Sequence, residues 1–320
     1  MAPRSRKPDH PDQDLPPEEP WLRLRPRADF VRTGSLAALA ERAGRYLDTG
    51  LPVHFRGPAG SGKTTLALHL AERIGRPVVL IVGDATFDTS RLVGQEGRHR
   101  TRRVIDRYIS SVTKVESETS AVWIDRALSI ACAEGATLVY DEFNRAPPAA
   151  NNVLLTVLEE KLLILPGISG GESYRRVHPD FRLLLTSNPT DHVGTHDAQN
   201  ALMDRVVTLD LEDHDRETEL AIITARSGLE AAAAARIVDL VRTVRRAGEF
   251  SQRPSMRAAL MIAQVAARDG IAVDAADARF RQLCADILAS RLRPASEGRP
   301  DPRQLLAAMI DRVCALEAAA

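Results

Sequence analysis

Eight consecutive residues, Gly57-Pro58-Ala59-Gly60-Ser61-Gly62-Lys63-Thr64, meet the full pattern G-x-x-x-x-G-K-[ST]. Glycines at those places let backbone N–H groups turn toward an anion. The lysine carries positive charge to β- and γ-phosphates, and the threonine hydroxyl suits Mg²⁺. Gly57, Pro58, Ala59, Gly60, Ser61, Gly62, Lys63, Thr64 and Thr65 are therefore candidate contacts for a nucleotide. Further along, Asp141 and Glu142 form a pair of acids. Asp141 would hold Mg²⁺ through its water shell beside Thr64. Glu142 would orient and polarise an attacking water, since phosphoryl transfer is catalysed mainly by positioning and charge compensation. Asn188 either hydrogen-bonds that water or the γ-phosphate, or shapes the turn before Pro189. Arg205 either acts as a finger on a neighbouring subunit's γ-phosphate or pairs with Asp204 or another acid. Arg257 either reaches the nucleotide from the first turn of a helix or is a solvated arginine at a helix start.

Several elements must position these groups. Pro52-Val53-His54-Phe55-Arg56 reads as a short buried strand, and Thr65 to Arg73 as a helix whose N-terminus faces the phosphates. Pro77 to Val82 reads as a second strand, apolar throughout as a strand covered on both faces is, and Ala136 to Glu142 and Phe181 to Pro189 read as further strands. The last of them delivers Asn188 to the carboxyl edge, where ligands of open α/β sheets bind. Arg205 lies where a helix end, Ala201 to Asp204, leads into a final strand over Val206 to Leu209. A helix over Ser35 to Leu47 brings the chain to the first strand, another covers 149–160, and 162–177 suggests a hairpin. From about Glu212 strand signals stop, and helical patterns cover 214–226, 229–246, 255–268, 274–292 and 302–317. Residues 91–125 are long for a connection. The basic run Arg98 to Arg103 followed by a mixed helical pattern reads either as an inserted element that touches a partner or as a solvated helix and loop. His192 and His196 have i, i+4 spacing, but a preceding proline, an intervening glycine and the missing glutamate argue for a loop with no metal.

At 320 residues the chain can bury a full α/β core and a second, smaller domain. Its 43 basic and 43 acidic residues cancel, which argues against a nucleic-acid coat. Three cysteines, far apart and inside apolar helical patterns, fit a reducing compartment without disulfide or zinc. No apolar run has transmembrane length and the start lacks a signal-peptide core, so a cytoplasmic protein with no membrane partner is expected. Six prolines and many charges in the first twenty residues make 1–28 a disordered tail by expectation.

Taken in order, Gly57 to Thr64, Asp141-Glu142, Asn188, Arg205 and Arg257, with a helical domain behind the sheet, resemble the AAA+ ATPases. Asp141-Glu142-Phe143-Asn144-Arg145-Ala146, the insertion before that strand and the hairpin before Asn188 are similar to their MoxR branch. Leu138 to Phe143, Asn151-Asn152-Val153-Leu154-Leu155, Leu158-Glu159-Glu160 and Thr186-Ser187-Asn188-Pro189 look like a gas-vesicle family within it. The resemblance spans about residues 30–295. It implies an α/β P-loop NTPase core over 29–211, a parallel sheet with helices on both faces. A smaller all-helical lid over 212–295 follows, and the helical pattern at 302–317 adds a C-terminal helix within 296–320. The resemblance also implies ATP and Mg²⁺ as ligands, with Thr64 and Asp141 toward the metal. Glu142, Asn188 and Arg205 would be catalytic, and Arg257 a sensor arginine that Arg253, one helical turn away, could replace. By the same resemblance the protein is a homo-oligomer, a hexamer, that hydrolyses ATP to act on gas-vesicle shell or assembly proteins. Metallocofactor insertion, as in other MoxR members, is the close competitor. A nucleotide-gated scaffold with little turnover is another, though it has no need of Glu142. DNA remodelling rests only on the arginines at 98–103 and is weakened by zero net charge.

Overall fold

A computed structural model of the chain describes residues 33–109, 112–166, 173–189, 200–247, 253–291 and 301–315. The proline-rich tail and the His192/His196 segment lie outside the described residues. Helix α1 (Gly34–Asp48) leads to β1 (Val53–Arg56), α2 (Lys63–Ile74), β2 (Val78–Val82) and the short α3 (Thr89–Leu92). A ribbon of β3 (Gly94–Ile109) and β4 (Val112–Asp125) precedes α4 (Ala127–Glu134) and β5 (Thr137–Asp141). Then come α5 (Pro148–Asn151), α6 (Val153–Glu159), the hairpin strands β6 (Leu162–Ile164) and β7 (Tyr174–Arg176), β8 (Arg182–Ser187), α7 (Asn200–Met203) and β9 (Val207–Asp210). Helices α8 (Arg216–Ser227), α9 (Ala231–Arg246), α10 (Met256–Asp269), α11 (Ala278–Leu288) and α12 (Pro302–Ala315) complete the chain.

The central sheet has five strands in the order β2-β5-β8-β1-β9, every described pairing parallel. Its apolar runs are continuous because both faces are covered and successive side chains point to opposite faces. In β5, Leu138 and Tyr140 enter one core with α4 and α6, while Val139 enters the other with α1 and α2. In β8, Leu183 and Leu185 divide from Leu184 in the same way. Helix α1 earns its place through Ala40, Ala43, Gly44 and Leu47, which recur at helical spacing and are buried. A separate core unites α8 to α11 with Leu306, Ile310 and Val313 of α12 and draws nothing from the sheet.

The segment 91–125 departs from the mixed helical pattern expected of it. It is an antiparallel ribbon paired from Gly94↔Asp125 to Ile109↔Val112. Val112, Val115 and Thr119 and the β-branched and aromatic residues of Val104 to Ile109 favour strand. Register shifts at Gly97/His99 and Asp106/Ile109 interrupt the two-residue alternation that would have revealed it.

A buried histidine sits in the middle of the sheet. His54 on β1 is 1% exposed; its Nε2 is 2.8 Å from Ser187 Oγ on β8 and its Nδ1 3.1 Å from Thr208 Oγ1 on β9. Its ring stands edge-on to Phe143 at 5.2 Å. Burial, with the nearby Arg56 charge, lowers its pKa from 6.5 to about 4. The imidazole is thus neutral in the fold but protonates below 6.5 once unfolded, so the stability it contributes is present above that pH and lost as pH falls toward 4. From pH 8 to pH 5 the loss is roughly 2 kcal/mol. Urea unfolding of the parent and of His54→Leu at both pH values checks this: the variant's stability should fall by about that much less. Equal falls would mean that another group titrates.

Candidate active site

At the end of β1 the chain turns through the glycine-rich loop into α2. Gly60 and Gly62 take φ of 86° and 83°, a left-handed backbone that side-chain-bearing residues rarely adopt. Gly62 caps α2, so the first amides of that helix and the positive end of its dipole open onto the loop. Lys63, the first helical residue, is 7% exposed, and its ammonium donates to the carbonyls of Gly57 at 2.8 Å and Pro58 at 2.7 Å. Ala59, Gly60, Gly62, Lys63, Thr64 and Thr65 line one cleft. Gly57, Pro58 and Ser61 are not among its lining; they shape the loop, with the Gly57 amide on the Ser187 carbonyl at 3.3 Å and the Ser61 hydroxyl on the Pro58 carbonyl at 3.0 Å.

Strand β5 carries the acid pair into the same cleft. Asp141 Oδ1 accepts a hydrogen bond from Thr64 Oγ1 at 2.7 Å and another from Thr186 Oγ1 at 2.5 Å. Glu142 leaves the sheet at φ 49° and ψ 42°, a left-handed conformation that costs a non-glycine residue about 1–3 kcal/mol and is found where the surroundings over-determine it. Its amide donates to Thr186 Oγ1 at 2.9 Å, and its carboxylate accepts from Arg145 Nη1 at 2.7 Å. Behind the turn, Asn151 accepts from the Tyr140 hydroxyl at 3.0 Å and donates to the Phe143 carbonyl at 3.3 Å, tying α5 to the acid-bearing strand. Thr64 and Asp141 present hard oxygen donors side by side. Among the described residues no cluster of three or more His, Cys, Asp or Glu side chains forms an all-protein cage. The adjacent Thr64 and Asp141 oxygens fit Mg²⁺, which binds through one or two protein oxygens plus water and phosphate.

Asn188, 4% exposed at the end of β8, lines the cleft beside these acids. From the helical unit, Arg226, Met256, Arg257 and Leu260 also line the cleft. Of the two candidate arginines at the start of α10, Arg257 faces the cleft and Arg253 is not among its lining. Arg226, in the last turn of α8, and Thr186 were missed by sequence reasoning; a basic helix end and a threonine in a strand carry no distinguishing signal.

The helical unit meets the phosphate loop at two places. A side chain on Gly60 would run into Ser255, and one on Gly62 would touch the His214 ring. Both contacts hang on Glu219, 3% exposed between Arg242 and Arg245 at 2.9 Å each. Arg242 also donates to the His214 carbonyl, and Arg245 to the Pro254 carbonyl, both at 3.0 Å. Arg205 lies apart from the cleft. Its guanidinium grips Glu159 on α6, Nη2 at 2.5 Å and Nε at 3.0 Å from Oε2, and donates to the Ala201 carbonyl at 2.7 Å. Its acidic partner is thus Glu159; no bond to Asp204 is made.

Comparison with known proteins places this geometry among relatives. Residues 52–206 match the family model of the AAA domain, dynein-related subfamily. The chain is 48% identical to the gas vesicle ATPase GvpN of Ancylobacter aquaticus, over 92% of this chain and 83% of that one. It is 38% identical to gas vesicle ATPase GvpN1 of Halobacterium salinarum, over 96% and 85%. In fold it is similar to a crystal structure of NtrX from Brucella abortus in complex with ADP, with a TM-score of 0.51 at 16% identity over 90% of this chain and 66% of that one. Among the described residues no helix is long and apolar enough to cross a membrane.

Proposed function

Since the chain belongs to the GvpN family of gas vesicle ATPases, we propose that it couples ATP hydrolysis to the remodelling of a protein client during gas vesicle assembly. The observation that carries this reading is convergence. Lys63, Thr64, Asp141, Glu142 and Asn188 from the α/β core and Arg257 from the helical unit line one cleft, so nucleotide would bridge the two units.

In this mechanism the α2 N-terminus and Lys63 bind the β- and γ-phosphates. Thr64 and Asp141 would hold Mg²⁺, which would supply positive charge to offset that on the phosphate oxygens. Glu142 accepts a hydrogen bond from the attacking water and turns its lone pair toward the γ-phosphorus, while Asn188 fixes the water or a γ-oxygen. Arg257, with Arg226 beside it, reads the phosphate from the helical unit. Arg205, which is not among the lining of its own cleft, serves a neighbouring subunit's γ-phosphate in a ring, which we take to be a hexamer. The β3–β4 ribbon is the arm that meets the client, a gas-vesicle shell or assembly protein, in the cytoplasm and at the vesicle surface.

Steady-state ATPase assays test the proposal with gas-vesicle shell protein, single-stranded DNA and an apo-metalloenzyme as alternative additions. Only the vesicle protein should raise turnover, by a few-fold or more, and Lys63→Ala should abolish both the basal and the stimulated rate. Stimulation by DNA or by the apo-metalloenzyme alone would overturn the assignment of client.

A further inference from the structure

Thr186 occupies an unusual place between the two acids. The β5–β8 ladder ends at the pair Tyr140↔Leu185, so beyond it the Glu142 amide has no strand carbonyl opposite. On the other side of β5, the Asp141 carbonyl still receives the Gly83 amide at 2.8 Å. The Thr186 hydroxyl, on a residue with 0% exposure, fills the gap: it accepts from the Glu142 amide at 2.9 Å and donates to Asp141 Oδ1 at 2.5 Å. A single rotor thus satisfies the backbone of one acid and the carboxylate of the other. Its proton is committed to Asp141 and its lone pair to Glu142, so neither bond can turn without the other.

We propose that Thr186 is the positioning residue of the acid pair. It holds the left-handed turn that aims Glu142 at the attacking water, and with Thr64 it fixes the rotation of the Asp141 carboxylate toward Mg²⁺. The proposal rests on the roles given above to Glu142 and Asp141. Thr186 also lies two residues before Asn188, which directly follows the same strand, and Ser187 between them is bonded to His54. The hydroxyl that orients the acids and the amide that meets the γ-phosphate therefore belong to one braced strand end. In a parallel strand threonine is ordinarily present for its β-branched shape, which valine reproduces. Valine lacks only the hydroxyl, so Thr186→Val separates shape from hydrogen bonding.

The test compares Thr186→Val and Thr186→Ser in the full-length oligomer, with Mg²⁺–ATP as the probe. Loss of a group that orients metal or catalytic ligands typically costs about 10- to 100-fold in activity. Thr186→Val should show that fall in kcat, an ATP KM within about three-fold of the parent, and a several-fold higher Mg²⁺ concentration at half-maximal rate. Thr186→Ser, which retains the hydroxyl, should restore most of kcat. Parental kcat and Mg²⁺ dependence in folded Thr186→Val would overturn the proposal, as would failure of serine to rescue. If the valine variant does not fold, Thr186→Ala against Thr186→Ser decides by the same two readouts. Glu142→Gln, assayed in parallel, keeps the two readings apart. An inactive Glu142→Gln beside a fully active Thr186→Val sinks only the positioning role, whereas a fully active Glu142→Gln sinks the assignment on which it rests.

Discussion

Glu142→Gln should bind ATP as tightly as the parent and lose about 10²- to 10⁴-fold in turnover, the range expected when a positioned general base is removed. The substitution keeps the size of the side chain and leaves the backbone amide on Thr186, so the strained turn is preserved. It does weaken the contact with Arg145, but that pair is substantially exposed, with side chains 45% and 33% accessible, and such pairs add little stability. The phosphate loop is untouched. Nucleotide titration beside a steady-state ATPase assay therefore separates binding from chemistry. Parental turnover would show that some other group prepares the water.

Arg205→Ala should bind ATP nearly normally as an isolated subunit and fail to hydrolyse it, with a loss on the order of 10³-fold or more if the arginine stabilises transition-state charge in a neighbour. Its ion pair with Glu159 supplies a control. If Arg205 acts only by pairing with Glu159, Glu159→Ala should reproduce the defect. If it acts across an interface, Glu159→Ala should keep most of its turnover. Mixing gives the sharper result. Arg205→Ala and Lys63→Ala subunits are each inactive alone, but in mixed rings an intact phosphate loop from the first can meet an intact arginine from the second. Under conditions shown to exchange subunits, some activity should return. None returning would leave the Glu159 pair as the better account of the residue.

The residues on which both experiments act were legible to different degrees. The phosphate loop is contiguous, and its chemistry depends on local backbone conformation, so the run from Gly57 to Thr64 declares itself without reference to the rest of the chain. Asp141, Glu142 and Asn188 were readable because apolar runs covered on both faces end in polar residues at the carboxyl edge of a parallel sheet. Helices α8 to α12 followed from their periodicity. The β3–β4 ribbon was misread because two register shifts and a run of arginines hid its alternation.

What the amino-acid order determined by itself was thus a set of candidate groups and the class of fold, since both arise from neighbours in sequence. Tertiary structure decided which groups meet. The order β2-β5-β8-β1-β9 brings Thr186 beside Asp141 and Glu142, residues 45 and 44 positions away. Packing of the helical unit turned Arg257, and not Arg253, into the cleft and added Arg226. The fold of α6 and α7 gave Arg205 to Glu159, a partner 46 residues distant. Each of these outcomes depends on where two separately built elements come to rest, and that is set by burial and register across the whole core, which no local spacing encodes.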